Sequence, residues 1–136
     1  MHKKESFPGI YYKKEGIVLT GRDSSLFFID NEGRILYAFI DEKGFRIGLS
    51  GEIIEKGREK GKKFIRRHSS ISFLKKIYER AQSVLKDEYF NENKKEIGDF
   101  LKKGFSNFEK TIKNFKDVYG KFPLSLLICI FPFMFR

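Results

Sequence analysis

Residues 52–67, EIIEKGREKGKKFIRR, hold the densest positive charge in the chain, and their periodicity decides the expected architecture. At about 100° per residue, Ile53, Ile54, Gly57, Gly61, Phe64 and Ile65 gather on one arc while the charged residues take the rest of the circumference. That pattern predicts an amphipathic helix. The two glycines inside it each cost about 1 kcal/mol relative to alanine. Their place on the apolar arc implies that another element approaches the helix backbone there.

Upstream the period is two. From Ile10 to Leu49, short apolar runs rich in Ile, Phe and Tyr are separated by KKEG, GRDSS, NEG and DEKG, all of them turn signals. They predict a five-stranded antiparallel meander with strands near 9–13, 17–21, 25–30, 34–40 and 45–49. Gly33 in NEGR supplies the positive φ of a tight hairpin. Phe45, Ile47 and Leu49 alternate with Arg46, Gly48 and Ser50, as in a sheet with one wet face. The runs LFFI and ILYAFI do not alternate, which implies cover on both faces.

Downstream, Ser69 or Ser70 serves as N-cap for a second helix reaching about Tyr89, with Leu74, Ile77, Tyr78, Ala81, Val84 and Leu85 inward. A third helix starts after Asn93, whose spacing to Glu96 resembles a capping box, and stops at Gly120. Its seam of Ile97, Leu101, Gly104, Phe108, Thr111, Phe115 and Val118 alternates steps of four and three, suiting a helical hairpin or a partner chain. The tail LLICIFPFMFR, residues 126–136, is nearly unbroken in its apolarity. As a helix, residues 122–135 would span about 21 Å against a hydrocarbon core of about 30 Å, and Pro132 breaks the last turn. The tail therefore reads first as a sheet-covering core segment, then as a self-association surface, and last as a membrane contact. The whole predicts one α+β domain over 1–136: a five-stranded meander over 1–51, then a basic part over 52–136 with about three helices and the apolar C-terminal segment.

Charge is uneven. The chain of 136 residues has a formal net charge of +10 at pH 7; residues 1–51 carry 8 basic and 7 acidic side chains, and residues 52–136 carry 20 and 11. The 16 phenylalanines without tryptophan, and a single glutamine at Gln82, give a composition like that of a thermophile or an AT-rich genome. Cys129 is the only cysteine, which excludes an intramolecular disulfide and a cysteine-based zinc site and fits a small buried hydrophobe. MHKKESFPGIYY lacks the apolar stretch of a signal peptide, so the expected location is cytoplasmic.

Catalytic motifs are lacking. His2 and His68 have no spaced companion for a metal site, and the serine pairs at 24–25 and 69–70 stand in turn and cap contexts without G-x-S-x-G. The carboxylates Asp23, Asp30, Glu32, Asp41 and Glu42 fit turn chemistry. GREKGKK is no P-loop: three residues separate its glycines and no Ser or Thr follows Lys62. The spacing of Gly44, Gly48 and Gly51 is wrong for a dinucleotide fingerprint. No catalytic residue, cofactor, metal or small-molecule substrate is expected.

The strongest signal is the basic run Lys56, Arg58, Lys60, Lys62, Lys63, Arg66 and Arg67, suited to a phosphate backbone. Glu52, Glu55 and Glu59 neutralise part of it through i,i+4 pairs. Tyr11 and Tyr12 are candidates for stacking on bases. The expectation is a non-catalytic binding or assembly protein that docks nucleic acid through a basic helix. Ile97, Leu101, Phe108, Phe115, Leu127, Ile130 and Phe133 are its candidate contacts with a second copy or a protein partner. The alternative is a peripheral membrane or scaffold protein whose lysines meet anionic lipid while the Phe-rich C-terminus inserts.

Overall fold

Lys60 and Gly61 take positive φ angles of 55° and 79°, the pair of left-handed residues that a two-residue type I′ hairpin requires. In the computed structural model, which describes residues 7–119, this turn joins two antiparallel strands, Ile53–Glu59 and Lys62–His68, in register from Ile53 opposite His68 to Glu59 opposite Lys62. The helix expected over 52–67 is therefore corrected to a hairpin. Its apolar arc was built on the adjacent pairs Ile53–Ile54 and Phe64–Ile65, which strands send to opposite faces. Among the described residues no helix meets Gly57; a Cβ there would lie 2.9 Å from the ring of Phe64 across the hairpin.

Among the described residues the sheet has seven strands in chain order, all antiparallel: β1 (Gly9–Lys13), β2 (Gly16–Thr20), β3 (Leu26–Asp30), β4 (Ile35–Ile40), β5 (Lys43–Ile47), β6 (Ile53–Glu59) and β7 (Lys62–His68). The expected five-stranded meander is present and is extended by two. Two α-helices follow, α1 (Ile71–Leu85) and α2 (Lys94–Tyr119), with a 3₁₀ turn over Glu88–Phe90 between them. Ser70 caps α1, its hydroxyl accepting the Ser72 N–H at 3.2 Å.

Both helices cover one face of the sheet. Alternation along the strands puts Leu19, Phe27, Ile29, Ile35, Ala38 and Ile53, all fully buried, under Leu74, Ala81, Leu101 and Phe108 of the helices. This is a two-layer α+β arrangement around a single core. Tyr78 of α1 packs against the rings of Phe105 and Phe108 of α2, with centroids 5.1 and 6.3 Å apart. The Gln82 amide also donates to the Gly98 carbonyl at 2.9 Å.

The β3–β4 turn fixes α2 from the other side. The Asp30 carboxylate accepts the N–H groups of Glu32 and Arg34 and the Arg34 Nε, each at 2.9 Å. Gly33, with φ 82°, then touches the helix backbone: a Cβ on Gly104 would collide with the Gly33 carbonyl. Gly104 of the expected seam thus meets the chain's own hairpin. No side chain but hydrogen fits at that crossing.

The pairing of β3 with β4 slips by one residue between Phe28 and Ile29. The N–H of Ile35 at that slip donates to the Tyr78 hydroxyl at 2.8 Å. Burial pushes the Tyr78 phenol well above its ordinary pKa, so it stays a neutral partner at any ordinary pH. Tyr78→Phe leaves a buried N–H unsatisfied, and chemical denaturation is expected to show a loss of about 1–3 kcal/mol with an unchanged denaturant slope.

Candidate nucleic-acid interface

Strand alternation divides the basic run. In one register row across the face away from the helices lie Tyr11, Val18, Phe28, Tyr37, Arg46, Ile54 and Arg67; in the next lie Thr20, Leu26, Phe39, Gly44, Lys56 and Ile65; Arg58 opposes Lys63 beyond them. Each row passes from aromatic and aliphatic residues in the middle strands to cations on β5–β7. Of the seven predicted anion-binding residues, Lys56, Arg58, Lys63 and Arg67 share this face. Lys62 and Arg66 point to the opposite one, and Lys60 sits in the turn.

A groove of about 340 Å³ runs along this face, lined by Tyr37, Phe39, Glu42, Gly44, Arg46, Ile54, Lys56, Gly57, Arg58 and Lys63. Tyr37 and Phe39 are 39% and 36% exposed, which leaves each ring with surface available to a ligand. Gly44 makes room for Tyr37, since a Cβ there would lie 3.1 Å from the phenol oxygen. Glu42 is the only carboxylate of the groove, and Glu52, 3.3 Å from Arg67, pairs at its margin. Four cations and one anion line a surface that also offers two aromatic rings.

The carboxylates of the hairpin lie on the inner face. Glu59 pairs with Arg66 at 2.6 Å, and the Arg66 guanidinium stands 4.3 Å from the centroid of Phe64. Glu55, only 6% exposed in its side chain, bonds His68 Nε2 at 2.7 Å and lies 3.6 Å from Lys43 Nζ. The His68 ring stacks on Phe73 at 4.0 Å between centroids with a 3° tilt. Expected to stand alone, His68 instead has a carboxylate companion thirteen residues away. The hairpin register makes them diagonal neighbours, because Ile53 opposes His68 and Glu55 opposes Arg66.

The loop carboxylates do turn chemistry. Asp23 accepts the Ser25 N–H at 3.0 Å and the Ser25 hydroxyl at 2.5 Å. Asp41 and Glu42, with φ angles of 50° and 64°, form the β4–β5 turn. Arg80 of α1 reaches both Asp23 (3.1 Å) and Asp41 (3.3 Å), tying two turns to the helix. Among the described residues no group of three or more His, Cys, Asp or Glu is placed to hold a metal ion.

The remaining predicted contacts are also located in part. Ile97, Leu101 and Phe108 are buried in the chain's own core at 2%, 0% and 1% exposure. The Phe115 side chain, Leu127, Ile130 and Phe133 lie outside the described residues. Tyr11 is on the open face, its hydroxyl donating to the Phe7 carbonyl at 3.0 Å, whereas Tyr12 pairs with Ile17 and points the other way. No described helix is long and apolar enough to cross a membrane.

No family model matches the chain, and no curated protein and no solved structure matches it either.

Burial alone would raise the Asp23 pKa, but the two Ser25 hydrogen bonds and Arg80 outweigh it and hold the carboxyl below the ordinary aspartate range. A carboxyl depressed on folding stabilises the protein above its unfolded pKa, and that contribution is lost as pH falls through the lower, folded value. Asp23→Asn should therefore flatten the acid limb of stability below about pH 4, measured by urea midpoints across a pH series. An acid limb identical to that of the parent would mean that the Asp23 contacts to Ser25 and Arg80 add nothing to stability.

Proposed function

We propose that the chain is a non-catalytic nucleic-acid-binding protein whose ligand lies along the open face of β4–β7. Supporting this reading is one juxtaposition: Tyr37 and Phe39 beside Arg46, Lys56, Arg58 and Lys63 in a single groove with one carboxylate. Every base has a π-face, so exposed rings bind unpaired bases with little regard to sequence, at about 1–3 kcal/mol per stacked base. The neighbouring cations hold phosphates by releasing counterions. Rings and charges on one face of the sheet favour a single strand, since a duplex hides its base faces.

The Coulombic part is expected to be strong because two of the three carboxylates within the basic run lie on the other face. Glu55 and Glu59 are engaged on the inner face, so the open-face cations are not neutralised by the hairpin's own acids as they would be on a helix. Affinity would come mainly from backbone contact, with modest sequence discrimination.

Fluorescence anisotropy with a labelled single-stranded oligonucleotide provides the test. With four phosphate contacts, log K should fall against log salt with a slope of about −3. The pair Tyr37→Ala and Phe39→Ala should weaken binding by about 2–6 kcal/mol in total without altering that slope. Binding that is absent at low salt, or indifferent to both aromatic substitutions, sinks the reading.

A further inference from the structure

The β4–β5 turn separates its two carboxylates. Both residues are left-handed, with φ angles of 50° at Asp41 and 64° at Glu42. A two-residue hairpin of this kind favours Asn, Asp and Gly, so Asp41 suits its place and Glu42 is an unusual occupant. Asp41 meets Arg80 of α1 at 3.3 Å. Glu42 instead lines the open-face groove beside Tyr37 and Phe39. Among the described residues the Glu42 side chain makes no hydrogen bond and no ion pair, although four cations line the same groove. Arg46, Lys56, Arg58 and Lys63 are exposed and likewise unpaired among the described residues. The groove thus holds one free carboxylate, four free cations and two partly exposed rings.

An ionised carboxylate has two acceptor oxygens and no donor. It is matched in full only by an edge that offers two donors side by side. Guanine has such an edge, because its N1–H and its N2 amino group are adjacent on the Watson–Crick side. Adenine and cytosine place a ring-nitrogen acceptor beside their amino group, and thymine and uracil flank one N–H with two carbonyl oxygens. Against a carboxylate, those edges set lone pairs against lone pairs. Guanine also carries two acceptors, O6 and N7, on its Hoogsteen side, the pair that arginine and lysine recognise. No other common base joins a two-donor edge to a two-acceptor edge.

We propose that Glu42 gives this groove a preference for guanine in a single strand. The inference rests on the nucleic-acid reading of the same groove and adds a base preference to it. One guanine stacks on Tyr37 or Phe39, Glu42 accepts its N1–H and N2–H, and a neighbouring cation donates to O6 and N7. The remaining cations hold the flanking phosphates. With four cations against one anion the lining keeps a formal charge of +3, so the carboxylate selects among bases without abolishing the attraction for the backbone.

Fluorescence anisotropy with labelled strands of equal length tests it, in lithium buffer at low ionic strength so that the guanines stay unassociated. An alternating guanine–thymine strand should bind about fivefold more tightly than oligothymidine, the low end for a bidentate base contact. Replacing guanine by hypoxanthine removes the N2 amino group, keeps the stacking surface, and should abolish most of that gain. Glu42→Gln offers one acceptor and one donor in place of two acceptors. It should bring the guanine and thymine strands to near equality while oligothymidine still binds. Glu92→Gln, the same change of charge in the α1–α2 connection, should keep the preference. A preference undiminished in Glu42→Gln or with hypoxanthine overturns the inference. So does the lack of any preference in a protein that binds oligothymidine with the expected salt slope, and that outcome leaves the nucleic-acid reading standing. Binding of neither strand overturns both.

Discussion

A two-residue turn at Lys60–Gly61 folds a strongly basic segment into a hairpin whose successive residues point to opposite sides of the sheet, and the division of charge between the two faces depends on that alternation. In a helix, Glu52, Glu55 and Glu59 would lie among the cations and offset them at i,i+4 spacing. In the hairpin, Glu55 and Glu59 face inward with Arg66 and His68, while Lys56, Arg58, Lys63 and Arg67 face outward beside Arg46, Tyr37 and Phe39. Sorting by face turns a mixed-charge sequence into two surfaces of different chemistry. One is an aromatic and cationic groove, and the other is a cleft with a buried carboxylate in its lining.

The inner surface depends on tertiary partners rather than on strand chemistry. Glu55 tolerates burial because His68 and Lys43 take both its oxygens, and Phe73 at the start of α1 holds the His68 ring. Arg80, two turns further along the same helix, reaches Asp23 and Asp41 in separate hairpins. Thus α1 is attached to the sheet at its N-terminal end by a stacked ring and along its length by a guanidinium. Tyr78 joins it to the β3–β4 slip through Ile35. Close contact between Gly33 and Gly104 sets α2 on the other flank. These ties align the helices over the inner face and leave a cleft between α1 and the β6–β7 hairpin.

Much of the architecture was legible where one physical signal dominated. The turn residues between Ile10 and Leu49 placed the first five strands to within two residues of their ends, and the 3.6-residue pattern with Ser70 placed α1. The inward residues expected for α1, Leu74 to Leu85, are its buried ones. Residues 52–67 misled because the inner face of that hairpin is not apolar: Ile53, Glu55, Gly57 and Glu59 show no alternation of hydrophobicity that would announce a strand. The satisfied burial of Glu55 comes from His68 and Lys43, and neither is visible from local spacing. For the same reason the basic residues were identified but their division between faces was not. Tyr37 and Phe39 had been read as needing cover, and they stand partly exposed in the groove.

The most direct measurement compares two adjacent lysines. Lys62 and Lys63 are neighbours in sequence and equal in charge, but they face opposite sides of the sheet. Lys62→Glu and Lys63→Glu change the net charge identically, so their oligonucleotide affinities, measured over a salt series, isolate the effect of facing. Lys63→Glu is expected to weaken binding and to reduce the salt slope by about one, with Lys62→Glu close to the parent protein. Equal losses from the two substitutions would mean that binding follows total charge, and would contradict an interface confined to the open face.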